Sequence, residues 1–231
     1  MKFTTTHERL HNALSRAVRV TTKNTALPLL SCVLIEAHGD VVSIRASNLD
    51  VGVEIKIPAR VSAAGVSALP GNILGNFIAL GSGDRAVDFT LENGEVAIAG
   101  GGRDARIRRM AHEEFPVVPK VSDGERFSLP VADLVRCLRA VSYSAALTTL
   151  KPELSSVSVT CDGGFLTCAA TDAFRLAEKR VRLRRDASCG PFLVPAKSVG
   201  DIVRVLDALP GDADALVNKN QCSISCGDVY L

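Results

Sequence analysis

A chain of 231 residues, 47% apolar and 23% charged, has the length for one large or two small domains and is neither disordered nor membranous. Its longest apolar run, 26–35, holds Pro28 and Ser31 and falls short of the roughly 18 residues a membrane span needs. With 27 Lys and Arg against 25 Asp and Glu the net charge is +2, which excludes a grossly basic protein but leaves room for a local basic surface. Residues 1–8 lack the apolar core of a secretory signal. Seven cysteines without a CxxC spacing read as reduced thiols, so a soluble, cytoplasmic protein is expected.

In chain order, a short strand at 2–6 leads into a helix at 7–20, where Leu10, Ala13, Leu14, Ala17 and Val18 recur at helical spacing. Residues 30–37 and 41–47 read as a strand pair around Gly39. Next, 51–57 alternates Val51, Val53, Ile55 and Ile57 with Gly52, Glu54 and Lys56. A strand at 65–69 precedes Pro70, which opens a second helix to about Leu80. Asn93-Gly94 predicts a type I′ turn between strands 86–91 and 95–99, and a last strand spans 104–110. Residues 111–125, with Pro116, Pro119 and Gly124, form a linker.

The pattern then repeats. An offset of 124 residues, that from Phe3 to Phe127, also superposes Leu10 on Leu134, Leu14 on Leu138 and Leu30 on Leu154. The same offset carries Ala46-Ser47-Asn48 onto Ala170-Thr171-Asp172. After small shifts, Leu69-Pro70 falls on Val194-Pro195 and Ile98 on Ile224. One α+β domain, strand-rich with two helices, is therefore present twice. The partners of 106–119 are missing from the second copy, so an incomplete second domain is expected.

Catalytic chemistry is hard to find. His7 and His11 have metal-ligand spacing on the first helix but no third ligand. Cys222 and Cys226 share one face of a strand and read as small core residues. Gly100-Gly101-Gly102 joins two strands rather than opening a helix, so it reads as a turn and not as a phosphate cradle. No nucleophile elbow occurs, and neither a metal nor a cofactor is expected. The basic residues are better organised: Arg9, Asn12, Arg16, Arg19 and Lys23 recur opposite the apolar stripe of the first helix, with Arg136, Arg139, Lys197 and Arg204 on later helices. Such a row is either a solvated helix face or a sequence-blind phosphate surface, for which charge without interleaved aromatics is suited.

Several motifs decide between these. They are Met1-Lys2-Phe3-Thr4, Asn24-Thr25-Ala26-Leu27-Pro28-Leu29-Leu30, Ala46-Ser47-Asn48-Leu49-Asp50, Glu114-Phe115-Pro116, Ala170-Thr171-Asp172-Ala173-Phe174-Arg175-Leu176-Ala177 and Val194-Pro195-Ala196-Lys197. In order and spacing the chain resembles the bacterial DNA polymerase III beta subunits, the replicative sliding clamps, over its whole length.

That resemblance implies duplicated DNA-clamp domains with two helices each on antiparallel sheets: a first domain at 1–120, a central one at 125–231, and a third domain absent. Family rings contain six such domains from two chains, helices lining the hole. The resemblance further implies a non-catalytic processivity factor with duplex DNA, the replicative polymerase and the clamp loader as partners. Arg9, Arg16, Lys23, Asn24, Arg136, Arg139, Lys197 and Arg204 become the candidate DNA-facing residues; the family often has Arg where Asn24 stands. A partner-peptide pocket maps onto Leu154, Thr171, Ala173, Phe174, Arg175 and Leu176, where the family usually has Gly for Ala173 and His or Tyr for Phe174. Beginning a strand, Leu154 is expected to lie across a hairpin from 171–176, with an apolar wall kept at Phe174. The competing readings are a two-domain clamp closing as a trimer and an unrelated enzyme with a cleft between its domains.

Overall fold

The structure, a computed structural model, describes residues 1–24, 26–81, 85–148, 151–184 and 187–231. Thr25 of the first-loop motif therefore lies outside the described residues. The chain divides into two compact units, Met1–Val118 and Pro119–Leu231.

Unit one runs β1 (Lys2–Thr6), α1 (His7–Val20), β2 (Cys32–His38), β3 (Val41–Ser47), β4 (Gly52–Pro58), β5 (Arg60–Ala63), β6 (Gly65–Pro70), α2 (Gly71–Ala79), β7 (Ala86–Glu92), β8 (Glu95–Gly100) and β9 (Arg103–Arg108). One antiparallel sheet has the order β5-β1-β7-β8-β9, and a second joins β4, β3, β2 and β6. Both helices pack together and α1 covers β3 and β4. Helix α1 buries Leu10, Ala13, Leu14, Ala17 and Val20. Val18 instead faces α2, where a side chain at Gly75 would meet its Cγ2 at 3.3 Å. Under the first sheet Phe3 and Phe89 stack at 4.7 Å, both fully buried.

Some sequence expectations change here. Pro28–Ser31 forms a 3₁₀ turn, closed by a Ser31 Oγ bond to the Pro28 carbonyl (2.7 Å), so the strand begins at Cys32. Strand β5 was not expected; it is short and mostly exposed, and its pairing with β1 is a tertiary effect. Glu54, which alternates with the apolar residues of β4, is itself buried and accepts a bond from Ser43 Oγ at 2.9 Å, with Arg45 beside it. Asn93 and Gly94 have φ of 50° and 82°, as a type I′ turn requires, and Gly101 and Gly102 (64° and 79°) turn β8 into β9.

Unit two repeats the plan with β10 (Glu125–Pro130), α3 (Val131–Val141), β11 (Ser156–Asp162), β12 (Phe165–Thr171), β13 (Leu176–Arg182), β14 (Cys189–Pro195), α4 (Ala196–Leu206), β15 (Asp212–Val217), β16 (Cys222–Cys226) and β17 (Val229–Tyr230). Its sheets have the orders β13-β12-β11-β14 and β10-β15-β16-β17. Helix α3 packs on β12, β13 and α4. Leu134, Leu138, Val199, Val203 and Leu206 enter a core with Val157, Val159 and Leu166. Six cysteines are buried as small core side chains, but Cys222 is exposed, contrary to its expected core place. It stands at the first position of β16, where the inward alternation has not yet begun.

Pro70, Pro130 and Pro195 each end a strand and stand at the N-cap of the following helix. A fixed proline φ and missing N–H suit that junction, and this links the short Leu-Pro and Val-Pro sequence marks to three of the four strand-to-helix corners.

Candidate functional site

The predicted basic residues occupy helix surfaces in both units. Arg9, Arg19 and Lys23 are exposed, and among the described residues they form no ion pair; Arg16 is half-buried. Asn24 is engaged locally, its Oδ1 accepting bonds from the Ala26 and Leu27 amides at 2.8 and 3.2 Å. This side chain therefore shapes its own loop.

In unit two, Arg136, Arg139, Lys197 and Arg204 are all exposed. Their electrostatics differ from those of α1, because carboxylates stand beside three of them. Arg136 pairs with Asp133 within α3 and Arg204 with Asp201 within α4. Arg139 reaches Asp207, just past the end of α4, at 3.2 Å. Val131, Val135, Leu206 and Leu209 floor a groove of about 580 Å³ between these helices, and Arg136 and Arg139 stand on its rim.

The second set of residues centres on the tight turn between β12 and β13. Thr171 and Leu176 are register partners at its base. Thr171 Oγ1 accepts a bond from the Ala173 amide (3.1 Å) and donates to the Arg175 carbonyl (2.7 Å). Asp172 Oδ1 accepts from the Phe174 and Arg175 amides, both at 3.0 Å, while Oδ2 takes the Arg175 Nε–H at 3.1 Å. The Arg175 and Phe174 amides, followed by the Arg175 charge, hold the Asp172 carboxyl below its ordinary range. Ala173 has φ of 75°, a left-handed conformation that explains the expected glycine at this position.

Arg175 leaves the turn to reach Tyr143, donating to its carbonyl at 3.0 Å with the guanidinium 5.8 Å from the ring centre. Sequence reasoning missed Tyr143, because nothing local links residues so far apart. Leu154 does not begin a strand. It lies two residues before β11, its carbonyl bonded to the Ala146 amide at 2.8 Å and its side chain half-buried. Phe174 is 97% exposed and forms no wall; the turn projects its side chain into solvent. Leu176 and Tyr143 are exposed as well, so apolar side chains flank this turn.

His7 and His11 stack at 5.9 Å, and a bond of 2.7 Å joins His7 Nε2 to the Ile78 carbonyl. That bond gives His7 a structural part at the end of α2. Among the described residues no group of three or more His, Cys, Asp or Glu side chains could hold a metal, and no helix is long and apolar enough to cross a membrane.

Two repeated α+β units, basic helices and a turn flanked by exposed apolar groups define a DNA-clamp architecture. Family models confirm this assignment: that of the DNA polymerase III beta subunit N-terminal domain matches residues 1–119, and that of its central domain matches residues 128–231. The chain belongs to the DNA polymerase III beta subunit family. It is similar to the beta sliding clamp of Chlamydia pneumoniae, 26% identical over 233 residues that cover 100% of this chain and 63% of that protein. The beta sliding clamp of Staphylococcus epidermidis is 23% identical over 237 residues, covering 99% and 63%. The crystal structure of the Pseudomonas aeruginosa DNA polymerase III subunit beta shares the fold with a TM-score of 0.89 at 22% identity, covering 100% of this chain and 63% of that one. That of the Thermotoga maritima beta subunit gives 0.89 at 24%, covering 99% and 62%. The chain thus spans 63% of the length of each of these two curated relatives.

Proposed function

We propose that this chain acts as part of a DNA sliding clamp, a non-catalytic processivity factor that holds the replicative polymerase on duplex DNA. The observation that carries this reading is the pairing of exposed cations on the helices of both units with an ordered, apolar-flanked turn in unit two. Arg9, Arg16, Lys23, Arg136, Arg139, Lys197 and Arg204 are assigned to phosphate contact. Asn24 is assigned a place in the adjoining loop. Contacts of this kind position a protein on DNA without reading bases, which is what sliding requires.

Leu154, Thr171, Ala173, Phe174, Arg175 and Leu176 are assigned to a pocket for short partner peptides. An apolar anchor there would tether the polymerase and turn each rebinding into an intramolecular event. Residues 1–120 and 125–231 serve as the first and central domains in this reading. Ring closure by two copies of the full-length, three-domain family protein, loading by the clamp loader, and a cytoplasmic location belong to the same proposal. Family membership supports it over a trimeric two-domain clamp or an enzyme cleft.

The test is primer extension on a primed single-stranded circle with limiting polymerase and its clamp loader. In a full-length version that carries the family's third domain, the protein should lengthen the products, and both Arg136→Ala/Arg139→Ala and Leu176→Asp should remove the gain. Products of equal length with and without that full-length protein would overturn the reading.

A further inference from the structure

The helices of unit two carry one short pattern twice: Asp133-Leu134-Val135-Arg136 on α3 and Asp201-Ile202-Val203-Arg204 on α4. The inner residues of both patterns are buried or partly buried apolar side chains, which places each Asp and Arg on adjacent turns at the same edge of the helix. In both, the aspartate lies low, with 17% of its side chain exposed, while the arginine stands out at 59% and 53%. A guanidinium has five N–H donors in a fixed fork, and one low carboxylate occupies only part of it. The remaining donors are left for a further acceptor. On α1 the equivalent surface is different, since Arg9 and Arg19 have no carboxylate partner among the described residues.

We infer that Asp133 and Asp201 are positioning residues that tune the phosphate-facing surface of unit two: each orients its arginine toward the duplex and subtracts most of its net charge. This rests on the proposed clamp reading and refines it. Arg9 and Arg19 of unit one then keep their charge for phosphate, while Arg136 and Arg204 of unit two offer directed but weak contacts. A clamp needs such weakness, because a surface that released many counterions would hold the duplex too tightly to move along it.

The experiment measures binding of the whole chain to a fluorescent duplex by anisotropy over a range of salt concentrations, with thermal unfolding as a control on folding. Asp133→Asn and Asp201→Asn should each tighten binding about threefold at low salt, because a full positive charge then faces phosphate. Each should steepen the salt dependence by up to about 0.9 in logarithmic slope. Asp133→Glu keeps the charge and should behave like the parent. A purely structural helix pair would shift only the unfolding midpoint. If the asparagine variants bind with the parent's affinity and slope, or more weakly, the tuning role is wrong. Arg136→Ala and Arg204→Ala separate the two levels: should neither change duplex binding, the assignment of this face to DNA fails, rather than the tuning alone.

Discussion

Leu49 and Ala173 occupy the same place in the two copies and share one backbone conformation, with φ of 76° and 75°. The bonds around them repeat as well. Ser47 and Thr171 hydroxyls accept from the amides of Leu49 and Ala173, both at 3.1 Å. Asn48 and Asp172 each accept two further amides, those of Asp50 and Val51 in one copy and of Phe174 and Arg175 in the other. The duplication read from apolar register thus extends to hydrogen bonds within a single turn.

A left-handed conformation costs a residue with a Cβ about 1–2 kcal/mol, and glycine escapes that cost while losing about 0.4–1 kcal/mol through its freer unfolded chain. Ala173→Gly should therefore stabilise unit two by about 0.5–1 kcal/mol, whereas Ala173→Val should destabilise it by about 1–2 kcal/mol. Urea unfolding checks both signs. A stabilising valine would show that the turn is not strained at this position.

Asp172 gives a pH dependence confined to one turn. Its folded-state carboxyl titrates below the ordinary value of about 3.9, so its contribution is complete above that value and is lost as the pH falls through the lower, folded one. The Phe174 and Arg175 amide resonances should stay constant from neutral pH down to about 4 and shift only at lower pH. Asn48 holds the matching place in unit one and cannot ionise, so the Asp50 and Val51 amides should not follow a local titration. Asp172→Asn should flatten the response at Phe174. Equal titration of both turns would contradict the assignment.

Legibility in the sequence followed the range of the interaction. Helix α1 was readable at both ends, because its apolar spacing and the change after Val20 are local. The Asn93-Gly94 hairpin was readable for the same reason. Strand β5 was not, since four mostly exposed residues become a strand only through β1. At the turn, the Thr171 to Leu176 cluster was visible in sequence, but its tie to Tyr143 depends on the fold. The Asp133–Arg136 and Asp201–Arg204 pairs had a local signal, three-residue spacing on a helix, that counting only the cations passed over.

The proposed peptide pocket makes a separate prediction. Burying a leucine or phenylalanine anchor is worth roughly 1.5–3 kcal/mol before the cost of association. Leu176 is 70% exposed and Leu154 half-buried, so aspartate at either position should remove the apolar contact with little effect on folding. A fluorescent partner peptide should lose at least about tenfold in affinity with Leu176→Asp, near the lower end of that burial energy. Unchanged binding would move the pocket elsewhere.

The central claim is that cations on the helices of both units meet duplex DNA through its phosphates. The most direct measurement is the salt dependence of binding to two duplexes of unrelated sequence, for the parent chain and for Arg9→Ala, Arg136→Ala and Arg139→Ala. Each substitution should weaken binding equally on both duplexes; Arg9→Ala should lower the logarithmic salt slope by up to about 0.9, and Arg136→Ala and Arg139→Ala, whose charges are paired with carboxylates, by less. A loss confined to one sequence, or an unchanged slope in all three variants, would contradict the account.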